Sequence, residues 1–158
     1  MKKTNKEIIH KFIIESNMIE GIIREPTRAE VAEYDRFINQ KDIVVQDLVE
    51  FVSVYQPDAM LRTNPGSDVR IGNHIPPPGG SQIRYHLDNL MYTAPTMHPH
   101  ALHILYEDLH PFTDGNGRSG RMLWAWAMNN KGWDISLGFL HTFYYQTLSE
   151  RQNRGAYG

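Results

Sequence analysis

The spacing of apolar residues along the chain is mostly that of amphipathic helices. Apolar side chains recur every three or four positions, as at Val44, Leu48, Phe51 and Val52, which is the period of one helix face. The pattern predicts an all-α fold, a helical bundle, with helices at about residues 5–20, 28–39, 43–55, 81–93, 99–109, 118–130 and 137–152. Polar residues mark some of the starts. Thr27 and Glu30 have the spacing of a capping box, and Asp42 is expected to cap the third helix.

Residues 56–80 interrupt the helical pattern. They are rich in glycine and proline and end in the run Pro76-Pro77-Pro78-Gly79-Gly80. Within them Val69-Arg70-Ile71-Gly72 has some strand character, so we expect a small β-hairpin flap followed by a stiff polyproline turn. Long irregular insertions in compact domains are often functional, which makes this segment a candidate part of a binding site.

Composition narrows the class of protein. The chain has 158 residues, is 41% hydrophobic and carries a formal net charge of -2, as expected for one globular domain. That charge gives no broad basic surface for direct contact with nucleic acid. The lack of cysteine excludes disulfides and thiolate metal sites. No apolar run approaches the roughly 20 residues that a membrane span needs, so we expect a soluble, cytoplasmic protein.

The most informative chemistry lies in the twelve residues from His110 to Arg121. A histidine with an ordinary pKa near about 6.5 can act as a general base. Asp114 supplies one carboxylate, which together with substrate phosphates is the usual way to hold Mg²⁺. A helix that begins after the Gly115–Gly117 turn offers free N–H groups to an anion, and Arg118 and Arg121 add positive charge on one face. The run therefore predicts a polyphosphate site.

Each of these residues also has an ordinary structural interpretation. A histidine at a helix C-terminus is favoured by the helix dipole, and an aspartate in a loop often closes a turn. The two arginines would simply form a solvated basic edge. Taken singly the structural interpretation is the stronger one for His110 and Asp114, whereas the combination within so short a run favours the functional one.

The first predicted helix carries a second group of residues. Ile9, Phe12, Ile13, Ser16 and Glu20 fall on one stripe, which places a carboxylate in line with an apolar face. A buried carboxylate is costly without a partner, so Glu20 should meet a cation there. The alternative, that Glu20 turns out to water at the helix end, is equally compatible with the pattern.

The run from His110 to Arg121 resembles the Fic family signature, His-x-Phe-x-Asp/Glu-Gly-Asn-Gly-Arg-x-x-Arg, at every specified position. The preceding helix and the flap segment around 69–78 are similar to the family as well, so that the resemblance covers residues 10–150. It implies an enzyme that transfers AMP from ATP to a Ser, Thr or Tyr hydroxyl of a protein. Related sequences that transfer phosphate instead have a lysine where this chain has Gly117.

The resemblance also implies a role for each residue of the run. His110 would deprotonate the target hydroxyl, and Asp114 would hold Mg²⁺ on the α- and β-phosphates. Arg118 would contact the β-phosphate side and Arg121 the γ-phosphate. The phosphates would be cradled by Gly115, Asn116 and Gly117. ATP and Mg²⁺ are therefore the expected ligands.

Ser16-Asn17-Met18-Ile19-Glu20-Gly21 is similar to the inhibitory motif of the same family, Ser/Thr-x-x-x-Glu-Gly/Asn. The implication is a salt bridge from Glu20 to Arg121 that keeps Arg121 from the γ-phosphate. Residues 1–25 would then be an N-terminal inhibitory helix and residues 26–158 the Fic core, together forming one globular unit. Gly21 would end the helix without a side chain near the nucleotide.

Weaker signals complete the predicted site. By the resemblance, Tyr144 and Tyr145 on the last helix would line an adenine pocket, and the flap at Val69–Gly72 would bind the target protein. The expected partners are target proteins, with self-modification and a homo-oligomer as further hypotheses. Two other functions stay open: removal of AMP at the same site, and a catalytically quiet Fic-type binding module.

Overall fold

The computed structural model describes residues 6–135, which form six α-helices and one short 3₁₀ helix. In chain order these are α1 (Lys6–Ile19), α2 (Arg28–Ile38), α3 (Val45–Tyr55), α4 (Ser81–Thr93), the 3₁₀ turn Ala94–Thr96, α5 (Pro99–Leu109) and α6 (Asn116–Asn130). The helical prediction is confirmed over this part of the chain, and α4 and α5 have the bounds that the pattern indicates. The helix predicted at 137–152 lies outside the described residues.

The helix starts show which capping predictions hold. The capping box at α2 is present: the backbone N–H of Glu30 donates to Thr27 Oγ1 at 3.1 Å, and Thr27 N–H donates to the Glu30 carboxylate at 3.4 Å. The predicted cap at Asp42 is wrong, because α3 begins at Val45 and Val44 is its N-cap. The Val44 N–H instead donates to the carboxylate of Asp47, at 2.9 Å.

Helix α6 is the centre of the molecule. It packs against α5 along its length and also contacts α1, α2 and α3. Trp126 is fully buried, and its indole N–H donates to the Gln40 carbonyl at 2.8 Å. At Gly120 the side chains of Tyr106 and Glu107 on α5 lie directly against the backbone, so the lack of a side chain lets the two helices pack closely. A long buried helix thus fixes the position of the loop that precedes it.

An aromatic cluster joins the first three helices to one another. The ring of Tyr34 on α2 lies between Phe12 of α1 and Phe51 of α3, with centroid distances of 6.2 and 4.8 Å. Both pairs have the edge-to-face geometry that aromatic rings prefer. The apolar stripe of α1 is therefore part of the main core, and its polar continuation points toward α6.

The predicted β-hairpin flap is wrong. Among residues 6–135 the β structure is limited to two isolated bridges, Leu61 with Phe112 and Ile71 with His74. Ile71 and His74 exchange two backbone hydrogen bonds, of 2.9 and 2.8 Å, across a tight turn. The pairing stops there because Ile75, the next residue, is followed by three prolines. Proline has no N–H to continue a ladder. No helix in the described part of the chain is long and apolar enough to cross a membrane.

Candidate active site

The loop between α5 and α6 brings His110, Asp114 and the start of α6 together. His110 is the C-cap of α5 and has a left-handed conformation, with φ 49° and ψ 62°. Its backbone N–H donates to the Tyr106 carbonyl at 2.9 Å, which closes the last turn of the helix. His110 is the one non-glycine residue at positive φ in the described part of the chain, and such a conformation persists only where its surroundings enforce it.

The environment of the His110 imidazole keeps it neutral. Burial, the positive charge of Arg62 and the neighbouring His74 together lower the pKa of His110 to about 4, against the Asp114 carboxylate, which acts to raise it. A neutral imidazole at pH 7 has a lone pair available to accept a proton. The side chain is therefore in the form that a general base requires.

The side chain of Asn116 holds the loop closed. Its amide oxygen accepts from the Phe112 N–H and its amide nitrogen donates to the Phe112 carbonyl, both at 2.9 Å. Asn116 is buried, and Phe112 is anchored in the core beneath it. The sequence indicated Asn116 as a phosphate contact, but its side-chain atoms are already bonded to the loop. Only its backbone N–H, at the first position of α6, is directed as a phosphate contact would require.

The first turn of α6 is positively charged and partly unsatisfied. The guanidinium carbon of Arg118 lies 4.0 Å from the centre of the Tyr55 ring, and its Nη2 is 3.5 Å from Gln56 Oε1. Its Nε is buried without a hydrogen-bond partner among residues 6–135. The Tyr55 hydroxyl donates to the Gly115 carbonyl at 2.7 Å and so fixes the start of the helix. A cation in front of free helix N–H groups is a site for an anion.

Asp114 is exposed at the edge of the same loop. One of its oxygens, Oδ1, accepts the Gly115 N–H at 2.7 Å, as in an ordinary turn. Within the described residues no group of three or more His, Cys, Asp or Glu side chains forms a complete metal site. One accessible carboxylate does fit Mg²⁺, since this ion commonly takes one protein carboxylate and completes its shell with phosphates and water.

Arg121 is bound by the end of α1. Its Nε donates to Ser16 Oγ at 2.8 Å, and its Nη2 donates to the Ser16 carbonyl at 3.0 Å and to Glu20 Oε1 at 2.7 Å. The Arg121 side chain is 2% exposed whereas the Glu20 side chain is 37% exposed, so a partly exposed carboxylate is paired with a buried guanidinium. The pattern left open whether Glu20 pairs with a cation or turns out to water, and in the structure it pairs with Arg121.

The Glu20 carboxylate also lies against the backbone of α6. A Cβ added at Gly117 would be 2.5 Å from Glu20 Oε1 and 3.1 Å from an Arg121 nitrogen. No side chain fits there unless the carboxylate moves. Glu20 therefore occupies the space above the first turn of α6, where the sequence predicted phosphates.

Gly21 ends α1 in a Schellman motif. The Ile22 N–H donates to the Asn17 carbonyl at 3.0 Å and the Gly21 N–H to the Met18 carbonyl at 2.9 Å, with Gly21 at φ 75°. This conformation places Glu20 at the C-cap, where its side chain leaves the helix toward α6. The prediction that Gly21 ends the helix is confirmed.

A buried carboxylate that the sequence did not indicate holds the same end of α1. Glu30 Oε2 accepts from Asn17 Nδ2 at 3.0 Å, and Glu30 Oε1 is 2.7 Å from Arg24. Burial raises the pKa of Glu30, but hydrogen bonds from Asn17, Arg24 and Thr27 outweigh it and bring the pKa below its usual value. Glu30 is therefore ionised at neutral pH. The capping-box spacing was the only signal of this residue in the sequence.

The flap segment lies near the loop but differs from its prediction. Arg70 and Gly72 are exposed, and Arg70 Nε donates to the Gly72 carbonyl at 3.1 Å. Val69 and Ile71 are half-buried. His74 is buried against α5, with Nε2 2.8 Å from the Asp108 carbonyl. The turn is thus attached to the helix that ends at His110, while Tyr144 and Tyr145, predicted for an adenine pocket, lie outside the described residues.

The arrangement has the parts of a site for transfer to or from a phosphate. A neutral imidazole, a helix N-terminus, Arg118 and an accessible carboxylate surround one loop, and Glu20 binds Arg121 next to it. Such a site needs positioning and fixed charge more than a covalent intermediate.

Comparison with known proteins agrees with this geometry. The family model described as "Fic/DOC family" matches residues 27–128, more than half of the chain. The matched span runs from the cap of α2 into α6 and includes the whole run from His110 to Arg121. Helix α1, with Ser16 and Glu20, precedes it. No curated protein matches the chain.

Proposed function

Because this chain belongs to the Fic/DOC family, we propose that it is an autoinhibited protein adenylyltransferase that moves AMP from ATP to a Ser, Thr or Tyr hydroxyl of a protein. Members of this family generally transfer nucleotidyl groups. Gly117 supports nucleotidyl transfer, because related sequences that transfer phosphate have a lysine at this position. The ion pair between Glu20 and Arg121 carries the proposal of autoinhibition.

In the proposed reaction the target hydroxyl attacks the α-phosphorus of ATP. A bond forms between the hydroxyl oxygen and that phosphorus, the bond to the oxygen that bridges the α- and β-phosphates breaks, and pyrophosphate leaves. His110 takes the hydroxyl proton. Its pKa of about 4 without nucleotide would rise when the negative charge of ATP is bound close by, because opposite charge favours the imidazolium. Before attack the imidazole would be neutral and able to accept the hydroxyl proton. After attack the nearby phosphate charge would stabilise the imidazolium.

The chain's own residues would hold the polyphosphate in line for attack. The N–H groups of the first turn of α6 and, once released, Arg121 would bind phosphates next to Gly117, and the Arg118 guanidinium would add positive charge in the same turn of the helix. Asp114 would hold Mg²⁺, and that ion supplies charge neutralisation on the phosphates and on the pyrophosphate that leaves.

Autoinhibition follows from competition for Arg121. A carboxylate and a γ-phosphate both bind a guanidinium, and Glu20 already occupies the donor Nη2 and the space above Gly117. ATP would therefore bind only weakly or in a position that does not react until Glu20 moves. We expect low basal activity in the wild-type protein.

Substitution at Glu20 tests the proposal directly. Glu20→Gly should raise self-AMPylation with ATP and Mg²⁺ by about tenfold or more, since a release worth about 1.4 kcal/mol changes an equilibrium by that factor. Adding His110→Ala to this variant should lower the rate by a factor of about 100 or more. Mass spectrometry of the intact chain measures both. An unchanged rate in Glu20→Gly would contradict autoinhibition, and full transfer by the double variant would remove His110 as the base.

A second function, removal of AMP, is favoured by one observation. The Glu20 carboxylate is partly exposed and lies over the turn that would hold the phosphates, where it could orient a water molecule. Incubating an AMPylated target with the wild-type protein distinguishes the two reactions, because only the second releases AMP in the absence of ATP. If neither wild type nor Glu20→Gly forms or removes an adduct, the chain is a catalytically quiet binding module.

A further inference from the structure

Arg62 is the most completely engaged buried side chain near the candidate active site. It lies in the irregular segment between α3 and α4 and is 0% exposed. Its guanidinium donates to four backbone carbonyls: those of His110 at 2.6 Å, Leu109 at 2.9 Å, Pro77 at 2.9 Å and Ser67 at 3.1 Å. An arginine fork has donors for several acceptors at fixed angles, which a lysine does not.

Two of these side-chain bonds and one backbone bond of Arg62 hold His110, the proposed base, and its two neighbours in the chain. The Arg62 backbone N–H donates to the Pro111 carbonyl at 2.8 Å. The carbonyls of Leu109, His110 and Pro111 thus all accept hydrogen bonds from one residue. Leu109 is the last residue of α5 and His110 its C-cap, so the carbonyls of these two residues have no partner within the helix. The left-handed conformation of His110, which is uncommon for a residue with a Cβ, is enforced by bonds on both sides of it.

The remaining bonds tie the flap segment to the same residue. Nη1 of Arg62 holds the carbonyls of Ser67 and Pro77, and the Arg62 carbonyl accepts from the Gly80 N–H at 2.8 Å. Both ends of the segment around the turn at Ile71–His74 are therefore fixed to the side chain that also holds His110. A shift of Arg62 would move the base and the flap together.

The charge of Arg62 acts on the imidazole as well. Of the titratable groups that face His110, Arg62 and His74 lower its pKa and Asp114 raises it, in addition to the effect of burial. Removing the guanidinium charge should therefore raise the pKa of His110, whereas a lysine would preserve part of the effect.

We propose that Arg62 is a positioning residue, which holds His110 in its left-handed conformation and sets the flap against it. This inference rests on the proposed function for its catalytic consequence, although its structural part does not. Arg62 is a positioning and not a catalytic residue, because its four side-chain hydrogen bonds within residues 6–135 all go to backbone carbonyls.

The test compares three substitutions in the Glu20→Gly background: Arg62→Met, Arg62→Lys and the control Arg36→Met. Arg36 also makes several hydrogen bonds, to Glu33 and Asp47, but it lies between α2 and α3, away from the loop. Self-AMPylation is measured per folded molecule, together with ATP affinity. Histidine-labelled NMR without metal gives the pKa of His110 and the backbone shifts of the loop.

Arg62→Met should lower the transfer rate by a factor of about 10 to 100, the loss expected when a reacting group is misplaced by about 1 Å, with ATP affinity retained. The pKa of His110 and the acidic limb of the pH–rate profile should move upward. Arg62→Lys should keep the His110 pKa nearer to that of the parent yet lose rate, and it serves as the test should Arg62→Met fail to fold.

The inference is overturned if the rate per folded molecule and the loop shifts in the Arg62 variants equal those in Arg36→Met. If Glu20→Gly itself transfers no AMP, the proposed function fails, and the NMR measurements alone decide on Arg62. In that case unchanged His110 shifts and pKa in Arg62→Met would overturn its positioning role.

Discussion

At the scale of single residues, position 117 and the Glu20 carboxylate compete for one volume. The ideal Cβ at Gly117 would lie 2.5 Å from Glu20 Oε1, well inside van der Waals contact. The glycine that accommodates phosphates in the proposed active state is therefore also required for the inhibited one. A larger residue at 117, such as the lysine of related sequences, would be incompatible with Glu20 in this position.

A double-mutant cycle measures this competition. Gly117→Ala should destabilise the wild-type protein, because the added methyl displaces Glu20 from Arg121. In Glu20→Gly the same substitution should be nearly neutral, since the shortest contact is gone and alanine is the better helix former, while an Arg121 nitrogen stays 3.1 Å from the added methyl. Urea unfolding should give a coupling of about 1 kcal/mol between the two positions. Additive effects of the two substitutions would show that the contact does not constrain position 117.

Histidine protonation should make the free energy of unfolding depend on pH. Burial lowers the pKa of His103 and the hydrogen bond to the Gly120 carbonyl raises it; with the charges of Arg121 and His100, which also lower it, the pKa is about 4. A histidine whose folded pKa lies below its unfolded value of about 6.5 takes up its proton on unfolding. Stability is then fully present above about pH 6.5 and is lost as the pH falls toward 4, by up to about 3 kcal/mol for His103.

Urea unfolding at several pH values checks this prediction. His103→Asn can still offer an amide donor to the Gly120 carbonyl, which His103 Nδ1 contacts at 2.9 Å, and it should show a weaker pH dependence. His86→Asn, at an exposed position on α4, is the matched control and should behave like wild type. An identical dependence in His103→Asn and wild type would contradict the assignment.

At the scale of elements, the contact of Glu20 with Arg121, which we propose to be inhibitory, depends on how the end of α1 is attached to α2. Asn17 lies between Ser16 and Glu20 on α1 and is bound to the buried Glu30 of α2. The Schellman turn at Gly21 then carries the chain back to Arg24, which pairs with the same carboxylate. Glu30 thus fixes both the last turn of α1 and the chain that follows it.

Glu30→Gln should loosen this attachment. The substitution removes the ion pair with Arg24 and alters a buried hydrogen-bond network, so we expect a loss of about 1–3 kcal/mol in the free energy of unfolding. Basal self-AMPylation should rise toward that of Glu20→Gly. Glu50→Gln, which removes a half-exposed carboxylate 3.5 Å from Arg36, is the control and should leave basal activity unchanged. A destabilised Glu30→Gln with wild-type basal activity would contradict the proposed attachment.

At the scale of the whole molecule, α6 extends from the core to the candidate site, and its first turns would serve both the inhibited and the active state that we propose. Its last turns carry Trp126, and its first turns present Gly117, Arg118 and Arg121 to the loop. The surrounding helices are packed against it, so the start of α6 can stay in place while α1 binds or releases Arg121. The proposed switch is therefore a change in one helix end rather than a rearrangement of the bundle.

Thermal unfolding with nucleotide should show this switch. At saturating ATP and Mg²⁺, about 100 times Kd, a ligand adds about 2.7 kcal/mol, or roughly 5–10 °C in Tm for a domain of this size. We expect such a shift for Glu20→Gly and a smaller one for wild type, where ATP must first displace Glu20. Adding His110→Ala to Glu20→Gly should keep the larger shift. Equal shifts in wild type and Glu20→Gly would count against competition for Arg121.

The sequence alone determined the features that depend on neighbours within a few residues. The helical period, the capping box of Thr27 and Glu30, and the stop at Gly21 all arise from contacts one helical turn apart. The run from His110 to Arg121 is continuous in the chain, covering one loop and the start of α6, which is why its chemistry could be recognised before the fold was known. The cap at Asp42 was predicted wrongly because α3 begins later and the Asp47 carboxylate accepts the N–H at its start. The hairpin was predicted wrongly because the prolines after Ile75 end the strand pairing at a single bridge.

Only the tertiary structure decided the features whose partners lie far apart in the chain. Arg62 meets the carbonyls of Leu109 and His110 from 47 and 48 residues away, and nothing in its local sequence indicates this. The pattern left Glu20 between water and a cation, and packing of α1 against α6 brought it to Arg121, 101 residues along the chain. The physical reason is that a buried charge must be satisfied by whatever groups the fold brings to it, and local periodicity does not specify those groups.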